Sequence, residues 1–171
     1  MPEQLFIQES GNETDIALYI QPGILEHLDG VAPEQRSNEA NFEAYCIALE
    51  GVSHFVLYVF RSVQELQVTA LELELQAEID KFVTAWEQRA AVTADKNGEA
   101  KHLSRIIFDN YELRAEVAPE EVDRYHVATR AAKRYCQKLV TKYGRDQSSE
   151  RMHRDVREYY RLGLADKLRV A

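Results

Sequence analysis

An apolar helix over residues 42–61 is the feature that most constrains the fold of this chain. At about 100° per residue, one broad face of this helix is almost entirely apolar. The residues on that face are Phe42, Tyr45, Cys46, Leu49, Val52, Val56, Val59 and Phe60. A helix that is apolar nearly all round normally lies at the centre of a protein. The sequence therefore predicts that Phe42–Phe60 is the most buried helix, with Val52 and Val56 inaccessible to solvent.

A second long helix is predicted to follow, with its start after Thr69. Thr69 and Glu72 have the spacing of a capping box, in which the threonine side chain accepts a free backbone amide. Ser62 and Glu65 have the same spacing, so the start of this helix stays open. An apolar stripe with helical spacing continues through Leu71, Leu75, Ile79, Phe82, Val83 and Trp86. This stripe indicates a second helix that packs against the core.

The rest of the chain predicts a mainly α fold with a short β element at its start. Residues 3–9 and 15–21 alternate apolar and polar side chains around Gly11-Asn12, which suits a hairpin. Beyond residue 37 the pattern indicates a bundle of about five longer helices. A length of 171 residues suits one domain. We therefore expect a single domain over residues 1–171, with a β and short-helix element at 1–36 and the bundle at 37–171.

The net charge of −8 is unevenly distributed along the sequence. Residues 119–171 contain 13 Lys and Arg against 8 Asp and Glu, whereas residues 1–118 contain 8 against 21. A basic segment can indicate a nucleic-acid partner. Here, however, the basic residues are spread along helices, and tight nucleic-acid binding needs many phosphate contacts. We expect the basic part to pack on the acidic part of the same chain or of its dimer mate, and we do not expect nucleic acid as a partner.

The composition favours a cytoplasmic protein. The longest uninterrupted apolar run, Phe55–Phe60, is far shorter than the about 20 residues of a membrane span, so no membrane partner is expected. No segment with the composition of a signal peptide opens the chain. Cys46 and Cys136 both fall on apolar helical faces, which is typical of reduced core thiols.

One group of polar residues lies among the apolar ones of the two long helices. Glu50 and His54 are four residues apart, so their side chains can meet on one helix face. Glu72 and Glu78 fall within or beside the stripe of the next helix. Glutamate and histidine side chains that converge between helices can hold iron, manganese or zinc. The competing interpretation is a solvated stripe, or a structural Glu50–His54 pair, and it has the greater weight.

The motifs of nucleotide-binding loops, nucleophile elbows and zinc sites are not found in the sequence. The leading functional hypothesis is therefore an interaction or regulatory helical-bundle module, which forms a homodimer or binds another protein. The alternative is a metal- or small-ligand-binding enzyme that uses Glu50, His54, Glu72 and Glu78. The sequence requires no cofactor, and its catalytic residues, if it has any, are unknown.

Overall fold

The computed structural model describes residues 2–11, 13–32, 35–111, 118–144 and 149–171. It divides into two compact units, Met1–Val68 and Thr69–Ala171, which we describe separately as the first and the second unit. The predicted fold class is confirmed, since the protein is 71% helical with a short two-stranded antiparallel sheet at its start. The single domain over residues 1–171, with its β and short-helix element at 1–36 and its bundle at 37–171, stays a prediction.

The first unit consists of a β-hairpin and two helices. Ile7 pairs with Ile16 in an antiparallel register that continues along both strands. Gly11 turns the chain between them with a φ of +63°, a conformation that suits glycine, while Asn12 lies outside the described residues. The elements are β1 (Glu3–Ser10), β2 (Glu13–Ile20), α1 (Pro22–Asp29) and α2 (Phe42–Val63).

Helix α2 packs on both strands of the hairpin and on α1. Its closest approach to the hairpin is at Gly51, which is buried. A Cβ atom on Gly51 would lie 3.0 Å from Leu18 Cδ1 and 3.4 Å from Glu3 Cβ. The missing side chain therefore lets the hairpin lie directly against the helix backbone.

The prediction that α2 is the most buried helix is wrong. The side chains of Val52 and Val56 are 43% and 48% exposed. These side chains are exposed because the hairpin and α1 pack on only part of the surface of α2, a helix that is apolar nearly all round.

By length and composition α2 is also the one helix among the described residues that meets the criteria for a membrane span, with a mean hydropathy of 1.4.

The second unit is helical, and the helix Ala70–Ala90, α3, is its most buried element. Eleven of the 21 residues of α3 are buried, compared with five of 22 in α2. Helix α3 packs against α5 and α4. A π-helical turn at Arg105–Asp109 follows α4, and a 3₁₀ turn at Pro119–Glu121 precedes α5. The helices are α3 (Ala70–Ala90), α4 (Lys96–Ser104), α5 (Val122–Tyr143), α6 (Ser149–Arg161) and α7 (Leu164–Val170).

The predicted start and inner face of α3 are confirmed. Thr69 is the N-cap, and its side-chain oxygen accepts a hydrogen bond of 3.2 Å from the backbone amide of Glu72. Among the predicted stripe residues, Leu71 is only partly buried. Those that are buried are Leu75, Ile79, Phe82, Val83 and Trp86. The Phe82 ring also stacks on Phe108 with its centroid 5.6 Å away, so α3 supplies the centre of this core.

Among the described residues of the second unit, three ion pairs of lysine or arginine join the basic C-terminal part to acidic residues before residue 118. Arg124 pairs with Glu74 at 3.7 Å, Lys167 pairs with Glu72 at 3.4 Å, and Lys133 pairs with Asp109. These pairs are of the kind that the uneven charge distribution predicted.

Asp155 of α6 should make stability depend on acidic pH. Lys142 Nζ and the Tyr143 hydroxyl each donate to Asp155 Oδ2 at 2.6 Å, and these bonds hold the pKa of the carboxyl below its ordinary value of 3.8. A lowered folded-state pKa stabilises the fold above the unfolded-state value, and this contribution is lost as pH falls through the folded-state value. We expect the stability difference between the parent and Asp155→Asn in urea unfolding to be constant above about pH 5 and to shrink below about pH 4. A difference that stayed constant down to pH 3 would contradict this role.

Candidate functional site

The four residues of the predicted Glu/His cluster are divided between the two units. Glu50 and His54 lie on α2 of the first unit, whereas Glu72 and Glu78 lie on α3 of the second. Glu50 and His54 are both partly buried and lie one helical turn apart, as predicted. The hydrogen bond between them, and a metal or small-ligand centre that joins all four residues, stay predictions.

The two carboxylates of the predicted cluster that lie in the second unit, Glu72 and Glu78, have lysine partners. Glu72 is 3% exposed and faces the fully buried Nζ of Lys167 at 3.4 Å. Lys167 Nζ also donates to Gln76 Oε1 at 3.0 Å. Glu78 accepts from Lys81 Nζ at 2.7 Å. A metal ion at either carboxylate would have to compete with an ammonium group that is already in place.

Three tyrosines of the C-terminal part lie in the core of the second unit, namely Tyr135, Tyr143 and Tyr159. Tyr143 and Tyr159 are 6% and 2% exposed. The Tyr159 ring stacks on Tyr135 with a centroid distance of 3.8 Å, and burial raises the pKa of both hydroxyls. Their faces are therefore occupied by protein, which identifies both rings as core residues.

The two cysteines differ in their surroundings. Cys136 is buried, and burial raises the pKa of its thiol well above its ordinary value. Cys46 is only partly buried, so the prediction of two core thiols holds for Cys136 alone. A thiol with a raised pKa is a poor nucleophile at neutral pH, so Cys136 is a packing residue.

An apolar groove lies between α1 and α2 of the first unit, and sequence reasoning missed it. This α1–α2 groove has a volume of about 570 Å³. The buried side chains of Leu28 and Tyr45 form its floor, and Leu25 and Val52 are 48% and 43% exposed at its sides. The lining residues are Leu25, Glu26, Leu28, Asp29, Arg36, Tyr45, Ala48, Leu49 and Val52.

Hydrogen bonds hold the two sides of the α1–α2 groove together. His27 Nε2 of α1 donates to Asn41 Oδ1, at the start of α2, over 2.8 Å. The side-chain nitrogen Nδ2 of Asn41 donates in turn to the backbone oxygen of Gln35 at 3.0 Å and to Asn38 Oδ1 at 2.9 Å. Asn41 is 8% exposed, so these bonds are shielded from water. The groove is therefore preformed rather than dependent on a partner for its shape.

Three charged residues line the α1–α2 groove. Glu26 and Asp29 belong to α1, and Arg36 belongs to the loop before α2. The Arg36 Nε donates to the backbone oxygen of Val31 at 3.2 Å, which fixes this side chain close to the loop. An apolar floor with a few charged groups at the edge is typical of a binding surface.

The apolar surface continues from the α1–α2 groove along α2. Val52, Val56 and Val63 lie within about 40° of one another around the helix axis, and we call them the valine face. Their exposed fractions are 43%, 48% and 80%. The sequence did contain a signal for this surface, since α2 has more apolar side chains than a hairpin and an eight-residue helix can cover.

No protein-family model, curated protein or solved structure matches the chain.

Proposed function

We propose that the protein is an interaction module that binds another protein chain through the valine face and the adjoining α1–α2 groove. The observation that carries this proposal is the exposure of Val52, Val56 and Val63. Single exposed apolar residues are ordinary, but a contiguous apolar surface bounded by polar residues marks an interaction site. Burying such a surface against a partner is favourable by about 25 cal/mol per Å² of apolar area.

The residues that line the α1–α2 groove support binding rather than catalysis. Apart from its apolar residues, this lining contributes Glu26, Asp29, Arg36 and the hydroxyl of the buried Tyr45. General acid–base and nucleophilic chemistry depends on a titratable group or nucleophile that is activated by its neighbours. Among the residues that the structure describes, the lining contains no histidine, serine or cysteine. The groove thus provides shape and apolar area.

We place this module in the cytoplasm, in complex with protein rather than with membrane or nucleic acid. Glu50 and His54 interrupt the middle of α2, and a charge at the centre of a bilayer is costly. The hairpin also packs on this helix at Gly51. The ion pairs of Arg124, Lys133 and Lys167 occupy three of the basic groups that a nucleic acid would need.

Photo-crosslinking at the valine face tests the proposal. A photoreactive phenylalanine analogue at position 56 should form a covalent adduct with a protein in cells that produce this chain naturally. The matched control is the same analogue at Val92, which is 71% exposed and lies in the second unit. We expect the adduct at position 56 and not at position 92.

The composition of the adduct identifies the partner. Mass spectrometry that finds only peptides of this chain in it would establish the homodimer that the sequence predicted, whereas foreign peptides would establish a heteromeric complex. Equal labelling at positions 56 and 92, or none at position 56, would overturn the assignment of this surface.

A further inference from the structure

We infer that the partner segment at the α1–α2 groove is a basic amphipathic helix. This inference rests on the interaction function proposed above and adds the chemistry of the partner. Its basis is the combination of an elongated apolar surface with a strongly acidic first unit. Neither a symmetric dimer through this same surface nor an anionic membrane surface has the charge to match it.

The shape of the apolar surface favours a helical occupant. From Ala48, at the groove, to Val63, at the far end of α2, the surface extends over fifteen residues. At about 1.5 Å per residue this is about 22 Å, or four turns of a partner helix. Helices bind to such surfaces through apolar side chains spaced at i, i+3 or i+4, and i+7. A small molecule that filled the 570 Å³ groove would leave Val56 and Val63 uncovered.

The charge of the first unit favours a cationic occupant. Residues 1–68 contain 11 Asp and Glu but only 2 basic residues, Arg36 and Arg61. Arg61 is 3% exposed, and Arg36 is hydrogen-bonded to Val31. The groove itself is lined by two acidic residues, Glu26 and Asp29, and one basic residue, Arg36. Complementary charge at the edge of an apolar site steers association and selects partners, so lysine or arginine is expected beside the apolar stripe of the bound helix.

The same charges argue against the other occupants. In a symmetric dimer through this surface, the two acidic first units would be brought together, and like charges at an interface are unfavourable. An anionic membrane would be repelled in the same way. A basic amphipathic helix provides the apolar area while it neutralises Glu26 and Asp29.

Fluorescence anisotropy with two labelled peptides tests this inference on the full chain. The first is an amphipathic leucine–lysine helix of about five turns, and the second has glutamate in place of every lysine. We expect the lysine peptide to bind with a dissociation constant below about 50 μM in physiological salt. The glutamate peptide should bind at least tenfold more weakly.

Variants separate binding in the groove from general attraction to an acidic protein. Val52→Asp adds a negative charge, so attraction alone would strengthen binding of the lysine peptide, whereas occupation of the groove predicts at least a tenfold loss. Glu26→Lys with Asp29→Lys should also weaken binding at least tenfold. The matched control, Glu9→Lys with Glu13→Lys, changes the same number of exposed charges on the hairpin. It should change the affinity less than threefold.

Several results would overturn the inference. These are equal binding of the two peptides, tighter binding by Val52→Asp, equal loss in both charge-reversal variants, and no binding of the lysine peptide at 1 mM. Sedimentation of the protein with zwitterionic or anionic vesicles, lost in Val52→Asp, would assign the surface to lipid instead. If position 56 crosslinks to a protein but the lysine peptide does not bind, the interaction function stands and only the basic helix is rejected.

Discussion

Replacing Lys167 by methionine should destabilise the second unit by about 3–5 kcal/mol, because the change leaves the buried Glu72 carboxylate without its ammonium partner. Lys167 is fully buried, and its Nζ lies 3.0 Å from Gln76 Oε1 and 3.4 Å from Glu72 Oε1. Its charge also lies 5.7 Å from the centre of the Tyr159 ring. Chemical unfolding can be followed by the fluorescence of Trp86, the single tryptophan, which lies in this unit.

The double variant Lys167→Met with Glu72→Met is the control for this prediction. When both charges are replaced by apolar groups of similar size, neither charge of this pair remains buried, and such replacements are often nearly neutral. We therefore expect the double variant to regain most of the stability that the single variant loses, a strongly non-additive result. A double variant as unstable as Lys167→Met alone would show that the lysine acts through packing and not through its pairing with Glu72.

Aspartate at Ile79 should prevent the second unit from folding, whereas aspartate at Val56 should change the free energy of unfolding by less than about 1 kcal/mol. Ile79 is 0% exposed within α3, and an unpaired charge there would cost about 4 kcal/mol or more. Val56 is 48% exposed, so a charge at this position stays in water. Thermal unfolding followed by circular dichroism reports on both units.

These two variants compare equivalent changes on the two apolar helices. Both replace a β-branched apolar residue in the interior of a long helix, so differences in helix propensity are small. If Val56→Asp lowered the melting temperature as much as a core substitution does, the valine face would be buried, as the sequence alone had suggested. That result would also remove the basis of the proposed interaction surface.

The local features of the fold followed well from the sequence. Thr69 caps α3 as predicted, and the predicted helix from Phe42 extends two residues beyond Arg61 to Val63. Caps, turns and apolar spacing act over a few residues, so they can be identified without knowledge of the rest of the chain. The assignment of Ile79 and Phe82 to the core followed from the same spacing.

Burial of the two long helices did not follow from the sequence. Helix α2 was expected to be central because it is so apolar, yet α3 is the more buried although it contains Glu72, Gln76 and Lys81. The partner of Glu72 and Gln76 is Lys167, 91 residues beyond Gln76. Polar groups can be buried when such partners compensate their lost hydration, and a pattern in the local sequence contains no information about them.

The candidate site was missed for a related reason. The cluster of Glu50, His54, Glu72 and Glu78 was chosen because polar residues stood out among apolar ones. The α1–α2 groove consists mainly of ordinary leucine, alanine and valine residues, and it depends on how α1 lies against α2. The hydrogen bond between His27 and Asn41 that fixes this placement joins residues 14 positions apart, and neither residue is part of a recognisable motif.

Gly51 has a consequence for the cooperativity of the first unit. Glycine in the interior of a helix costs about 1 kcal/mol relative to alanine, so α2 is intrinsically weakest where the hairpin lies on it. The strands in turn depend on this contact, because an isolated two-stranded hairpin is marginal in water. Helix and hairpin therefore stabilise each other. We expect them to unfold as a single cooperative segment, in which neither element persists after the other is lost.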